Sequence, residues 1–308
     1  MRKIIGIGET ILDILFKGGI ASTSVPGGST FNSMISLGRM GIPACFISEI
    51  GDDAVGRIVR TFLSTNGVDD NYLTEYPERK SPISLAFLDD HNNATYSFYK
   101  DPFGSRTDWQ CPTIDRDDII LFGSYYALDP NMRYKVTALL DEAHSAGAII
   151  YYDVNFRRNH QGEAIKLMGT VIENLEYADI VRGSDEDFSV LYGISEGAKV
   201  YDQKTAFYCP RLIYSRGAQG VEFHSPTFTK HYAIEPIIPV STIGAGDNLN
   251  AGILYGIIKH RIRRDDLDHL TERDWDAIIH SGLRFSADTC MHTDNYISLP
   301  FAEKEKLV

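Results

Sequence analysis

The stretch Ser241-Thr242-Ile243-Gly244-Ala245-Gly246-Asp247-Asn248 decides how this chain is read. An extended segment, Ala233 to Val240, leads into it. A helix bearing Leu249, Ile253, Leu254, Ile257 and Ile258 follows it. Lys259, His260 and Arg261 close that helix with the charge sign its dipole favours. A loop of small residues at a helix N-terminus offers backbone N–H groups to an anion. Gly244 and Gly246 carry no Cβ, so the backbone there approaches a ligand closely.

The same alternation of strand and helix runs outward from this unit. Short apolar runs predict strands at Lys3–Gly8, Cys45–Ile50, Asp118–Phe122, Ala148–Val154, Ala178–Val181 and Arg211–Ser215. Amphipathic spacing predicts helices at Phe31–Met40, Asp52–Asn66, Arg133–Ser145, Glu163–Leu175 and Asp185–Tyr192. Strands joined by helices imply an α/β fold: a mostly parallel sheet covered on both faces, with ligands beyond the carboxyl ends of its strands. Ser84–Leu88 and Thr95–Tyr99 break the pattern by flanking the polar turn Asp89–Asn93, which reads as an antiparallel hairpin. That hairpin is either a lid over the site or a plain edge extension. Without a linker or repeat in sight, the expectation is one domain over residues 1–308 with a small lid.

Bulk properties narrow the function. The chain has 308 residues, 43% hydrophobic and 23% charged, with a formal net charge of -12. Such an acidic chain repels nucleic acid unless a basic patch is concentrated locally. The nearest candidate, Lys259 to Arg264, runs straight into Asp265, Asp266 and Asp268 and reads as a helix end and solvated loop. No partner of that class is expected. Cys45, Cys111, Cys209 and Cys290 are too scattered for a zinc site or a disulfide framework. With no signal peptide and no apolar run long enough for a membrane span, a cytoplasmic location is expected.

Asp247 stands at the mouth of the anion loop, and two roles are open to it. One is to cap its own helix. The other is to act as a general base for an attacking hydroxyl while the loop amides stabilise charge on a transferred phosphoryl group. Other nucleotide signatures are missing. There is no P-loop, and Gly6-Ile7-Gly8 has Ile11 where a dinucleotide fingerprint needs its third glycine.

Ser241–Leu254, with Gly244-Ala245-Gly246-Asp247 and Ala251-Gly252, resembles the C-terminal signature of the ribokinase-like (pfkB-type) carbohydrate kinases. Gly27-Gly28-Ser29-Thr30-Phe31-Asn32 is similar to that family's sugar-binding segment. Gly51–Gly56 is similar to its G-x-D-x-x-G, and Ser215–Gly220 to its nucleotide segment. Asp153-Val154-Asn155-Phe156-Arg157 resembles the D-x-N-x-R of fructokinase-like and 2-keto-3-deoxygluconate kinase-like members. The matches fall in order from residue 6 to about 254.

The resemblance implies a three-layer sandwich with a small β lid, formed by hairpin 84–99 and a contribution from about residues 11–25. It implies ATP-dependent phosphorylation of a fructose-like hexose or keto-deoxy sugar acid, with Mg2+. Asp247 would be the base, and Gly244, Ala245 and Gly246 the anion hole. Asp13, Gly28, Asn32 and Arg157 would bind the sugar, and Ser215, Gly217 and Gly220 the nucleotide. Glu186 would serve the metal. Phe98, Tyr99 and Lys100 would end the lid or simply pack on a strand face, and a homodimer is expected. Three residues depart from the pattern. Ser241 stands where an Asp commonly helps bind a monovalent cation, so potassium activation is not carried over. Gly183 removes the Asn of the family's N-x-x-E, leaving Glu186 with Asp185 beside it. Phe31 is bulky where small residues are usual, and is read either as a pocket wall or as core. Two other functions stay in view: a sugar- or nucleotide-binding protein that has lost efficient transfer, and a nucleoside kinase.

Overall fold

The computed structural model describes residues 2–88, 94–101, 103 and 109–306. Among these, the strands are β1 (Ile4–Ile7), β2 (Ile11–Lys17), β3 (Ile20–Gly27), β4 (Ala44–Gly51), β5 (Val68–Asp69), β6 (Leu73–Tyr76), β7 (Ile83–Leu88), β8 (Ala94–Tyr99), β9 (Ile119–Gly123), β10 (Ile149–Asp153), β11 (Ile180–Ser184), β12 (Leu212–Ser215), β13 (Val221–His224) and β14 (Thr229–Tyr232). The helices are α1 (Ser29–Arg39), α2 (Ala54–Thr65), α3 (Arg133–Ala146), α4 (Ala164–Tyr177), α5 (Asp185–Tyr192), α6 (Gly197–Val200), α7 (Ala245–Lys259), α8 (Glu272–Cys290) and α9 (Leu299–Glu305). The polar turn expected at 89–93 lies outside the described residues.

The central sheet runs β14-β13-β12-β11-β10-β9-β1-β4-β5, with β6 also paired to β4. It is parallel from β12 to β5, and β13 and β14 add an antiparallel edge. Its middle strands read as unbroken apolar runs because both faces are covered. Alternate residues feed two cores. Ile149 and Tyr151 of β10 join Phe31, Leu254 and Trp275 from α1, α7 and α8. Ile150 and Tyr152 join Leu139, Val171 and Phe188 from α3, α4 and α5.

A second, four-stranded sheet stands apart, in the order β3-β2-β7-β8. Register puts Val25, Asp13, Ser84 and Phe98 side by side across it, and therefore on one face. Phe16, Phe87 and Tyr99 fall on the opposite face, where Phe16 and Phe87 stack at 4.9 Å.

Differences from the sequence reading are local. Residues 233–240 form no strand; Val240 N–H only bonds the Cys290 carbonyl at 2.8 Å. The long α8 went unread although Thr271 and Asp274 form a reciprocal capping box at its start. Arg264 is not simply solvated, since it pairs with Asp179 at 3.1 Å. Phe31 is fully buried against Phe46, Phe62 and Tyr296, so it belongs to the core.

Candidate active site

The loop before α7 turns on Gly244, whose φ of 79° suits a residue without a side chain; a Cβ there would stand 2.5 Å from the Asn295 carbonyl. Buried Asn248 locks the turn by donating to the carbonyls of Gly244 and Asn295, each at 2.8 Å. The helix then starts without any side-chain cap. The amides of Gly244, Gly246 and Asp247 have no acceptor among the described residues, while that of Ala245 reaches the Thr242 carbonyl at 3.3 Å. The capping role for Asp247 is therefore overturned. Its carboxylate turns away from its own helix and leaves the amides open to an anion.

That carboxylate is held by α1. Ser29 Oγ donates to Oδ1 at 2.8 Å, and Asn32 Nδ2 donates to Oδ2 at 2.7 Å. Ser33 Oγ fixes the backbone by donating to the Asp247 carbonyl at 2.7 Å. Each carboxylate oxygen keeps a further lone pair. Asp247 is only 8% exposed. Burial is the main reason its carboxyl is held above the ordinary range, and Asp153 adds to this. Asn32, Ser29 and the charge of Arg157 pull the other way.

The expected sugar-binding residues gather around Gly27. A Cβ built there would stand 3.2 Å from Asp13 Oδ2, 3.6 Å from Asn295 Nδ2 and 3.8 Å from Asn32 Oδ1. Asn32 Oδ1 is buried with no partner among the described residues. Ser84 donates to Asp13. Burial raises the Asp13 carboxyl, and the Ser84 bond and Arg157 oppose the shift. Arg157 is exposed, and its charge acts on both Asp13 and Asp247. Gly28 has a backbone role: its φ is 130°, and a Cβ would come within 2.3 Å of the Glu9 carbonyl. At the end of β8, Lys100 pairs with Glu9 at 2.6 Å.

On the other side of the loop, Ser215 is buried and accepts from Arg182 Nη2 at 2.8 Å. Gly217 opens a turn with φ 51°, and a Cβ there would meet nothing within 4 Å. Gly220 is needed by the fold, since its Cβ would lie 2.2 Å from the Tyr232 carbonyl. Glu186 faces solvent and pairs with Arg158 at 2.9 Å. The buried acid of that turn is Asp187, which forms a capping box with Ser184. Ser241 Oγ accepts from the Ile243 amide at 3.2 Å. No group of three or more potential metal ligands occurs among the described residues.

Ser29, Arg182, Asn248 and Asn295 were missed as site residues. Ser29 and Asn248 sit inside quoted segments and could have been found there. The others depend on contacts between parts of the chain far apart in sequence.

Solved structures share this architecture. Fructokinase from Vibrio cholerae O395, in a form holding fructose, ADP and potassium ion, superposes with a TM-score of 0.84 at 20% identity, covering 100% of this chain and 99% of its own. Aminoimidazole riboside kinase from Salmonella enterica also gives 0.84, at 22% identity, covering 99% and 98%. The fold is thus the ribokinase-like three-layer sandwich. The chain belongs to the pfkB family of carbohydrate kinases, whose family model matches residues 9–293. Among curated relatives, a fructokinase of Klebsiella pneumoniae is 26% identical over 270 residues, 84% of this chain and 86% of that one. A fructokinase of Rhizobium leguminosarum bv. trifolii is 28% identical over 304 residues, 92% and 86% of the two chains. The molecule is a sugar kinase of this family.

Proposed function

We propose that this kinase transfers the γ-phosphoryl group of ATP to a hydroxyl of a fructose-like hexose or keto-deoxy sugar acid, with Asp247 as general base. The observation that carries this is the Asp247 carboxylate beside three amides with no acceptor at the start of an uncapped helix. Asp247 takes the proton of the attacking hydroxyl, and the amides of Gly244, Gly246 and Asp247 stabilise charge on the group in transit. Ala245 contributes as the short link between them. Asp13 and Asn32 accept and orient sugar hydroxyls around the space left by Gly27. Arg157, a charge facing both carboxylates, favours a hexose or an acidic sugar, because its fork suits bidentate oxygen contacts. Ser215, Gly217 and Gly220 shape the nucleotide side.

Mg2+ needs only one or two carboxylates when it arrives on nucleotide phosphates. Asp185 and Glu186, hard oxygen donors on the first turn of α5, fit that demand, and the ion would neutralise phosphate charge there. The small sheet acts as the lid. Phe98 shares the face of Asp13, and the Lys100–Glu9 pair would tie its far strand down. Its opposite face, with Phe16, Phe87 and Tyr99, is covered by a second copy of the chain, which light scattering would detect as a dimer.

A coupled ADP-release assay across hexoses, keto-deoxy sugar acids and nucleosides tests the reading. Turnover is expected with a hexose or sugar acid. Preference for a nucleoside would overturn the acceptor class, and binding without ADP release would overturn transfer itself.

A further inference from the structure

Arg182 was not among the residues read from the sequence, yet it lies at the junction of the site. It is 6% exposed. Nη1 donates to Asp153 Oδ1 at 3.0 Å and Nη2 to Ser215 Oγ at 2.8 Å. A Cβ on Gly246 would stand 2.7 Å from Nη2, so the guanidinium packs against the anion loop at Gly246. From Asp153 the connection continues. Ser29 Oγ is 3.4 Å from Asp153 Oδ2 and 2.8 Å from Asp247 Oδ1. The single Ser29 proton goes to Asp247, so Arg182 ties Ser215, on the nucleotide side, to Asp153, and the other Asp153 oxygen packs against the hydroxyl that grips Asp247.

We propose that Arg182 is a positioning residue for phosphoryl transfer, its fork holding the nucleotide-side Ser215 and the base-side Asp153 in one fixed geometry against the Gly244–Gly246 loop. This rests on the assignment of Asp247 as base. Parallel register puts Arg182 beside Asp153, so both side chains start from adjacent buried strands. Burying a charge pair gives weak stability compared with an apolar pair of the same shape. Arg182 also leaves its buried Nε without a partner among the described residues. Stability is thus a poor reason for a cation here. A fixed positive charge beside amides that face developing phosphoryl charge is a good one, because it needs no reorganisation during the step. Only a fork reaches both partners at once, and an ammonium reaches one.

The test compares R182K, R182M and the S29A/R182M double variant with wild type in steady-state ADP release, alongside thermal melting. R182K should lower kcat about 10-fold and R182M about 100-fold, with the sugar KM within about 3-fold. The double variant should be no slower than R182M by more than about 2-fold, because Ser29 acts on the same path. A purely structural Arg182 would lower the melting temperature and leave kcat per folded molecule unchanged. Unchanged kcat in R182K overturns the proposal, and that variant does not leave buried Asp153 without a cation. D247N separates the two levels. If D247N turns over normally, the assignment of the base fails and takes the positioning role with it. If D247N is dead while R182K is fully active, only the positioning role fails.

Discussion

The two sheets are built to opposite specifications. Every residue of β1, β4, β9 and β10 is buried, whereas the first five residues of β3 are exposed. The central sheet even buries a charge pair: Lys135, 0% exposed, donates to Glu49, which also accepts from Tyr126 at 2.9 Å. The corresponding pair of the small sheet, Lys100–Glu9, has both side chains about 40% exposed. Groups that keep a fixed geometry in the proposed chemistry (Asp247, Arg182, Asp153) are set on covered elements. Groups proposed to admit and release a ligand (Asp13, Phe98, Lys100) lie on or just beyond strands with water on one side.

That contrast is open to breaking by mutation. The largest effect should come from the covered side. D247N is expected to lower kcat by about 1,000-fold or more, with the sugar KM within about 3-fold, since the general base acts only in the transition state. A rate within 10-fold of wild type would remove Asp247 from the chemistry. K135M, which strands Glu49 in the core, should cost about 3–5 kcal/mol in urea unfolding. On the small sheet, D13A should raise the sugar KM about 10- to 100-fold with much less change in kcat, as loss of a charged hydrogen-bond partner does. Comparable damage to kcat would mean that the small sheet also takes part in the chemistry.

A subtler experiment follows from the raised Asp247 carboxyl. As the proposed base it would work only when ionised, so activity is expected to fall as pH drops through its pKa, nearer neutrality than for an ordinary carboxylate because the value is raised. Ser29 stabilises the ionised form. S29A should therefore move the acid limb of the kcat profile further towards neutral pH, with loss of rate greater at pH 6 than at pH 8. A shift in the other direction would show that Asp153, not Ser29, governs the site. The smallest effect should be that of K100A on stability, less than about 1 kcal/mol, as expected for an exposed pair.

Legibility in the sequence follows the same division. The covered strands announce themselves as apolar runs, and the Gly244–Asp247 loop as small residues opening a helix. The segment 11–27 does not read that way: Asp13, Lys17 and Ser22–Ser24 interrupt its apolar pattern because one face meets water. Spacing to Gly183 picks out Glu186, with Asp185 beside it; the helix begins at Asp185 with Ser184 as its cap, and this phase turns Asp187, which the spacing passes over, inward. Arg182 and Asn295 could not have been read, since only strand register and the packing of the final loop bring them to the site. Residues 233–240 look extended and apolar, yet they find no strand to pair with.

The chain leaves β3 at Gly27 and, two residues later, is already in α1. The helical turn that begins there carries both Ser29 and Asn32, the two donors that grip the Asp247 carboxylate. The small sheet and the grip on Asp247 are therefore neighbours on one short length of backbone, like a handle and the jaw it works. Under the proposed function, a sugar that drew the sheet down would pull on the same turn that aims the carboxylate, so an empty site and a filled one would differ in how firmly the base is aimed as well as in how much water is shut out.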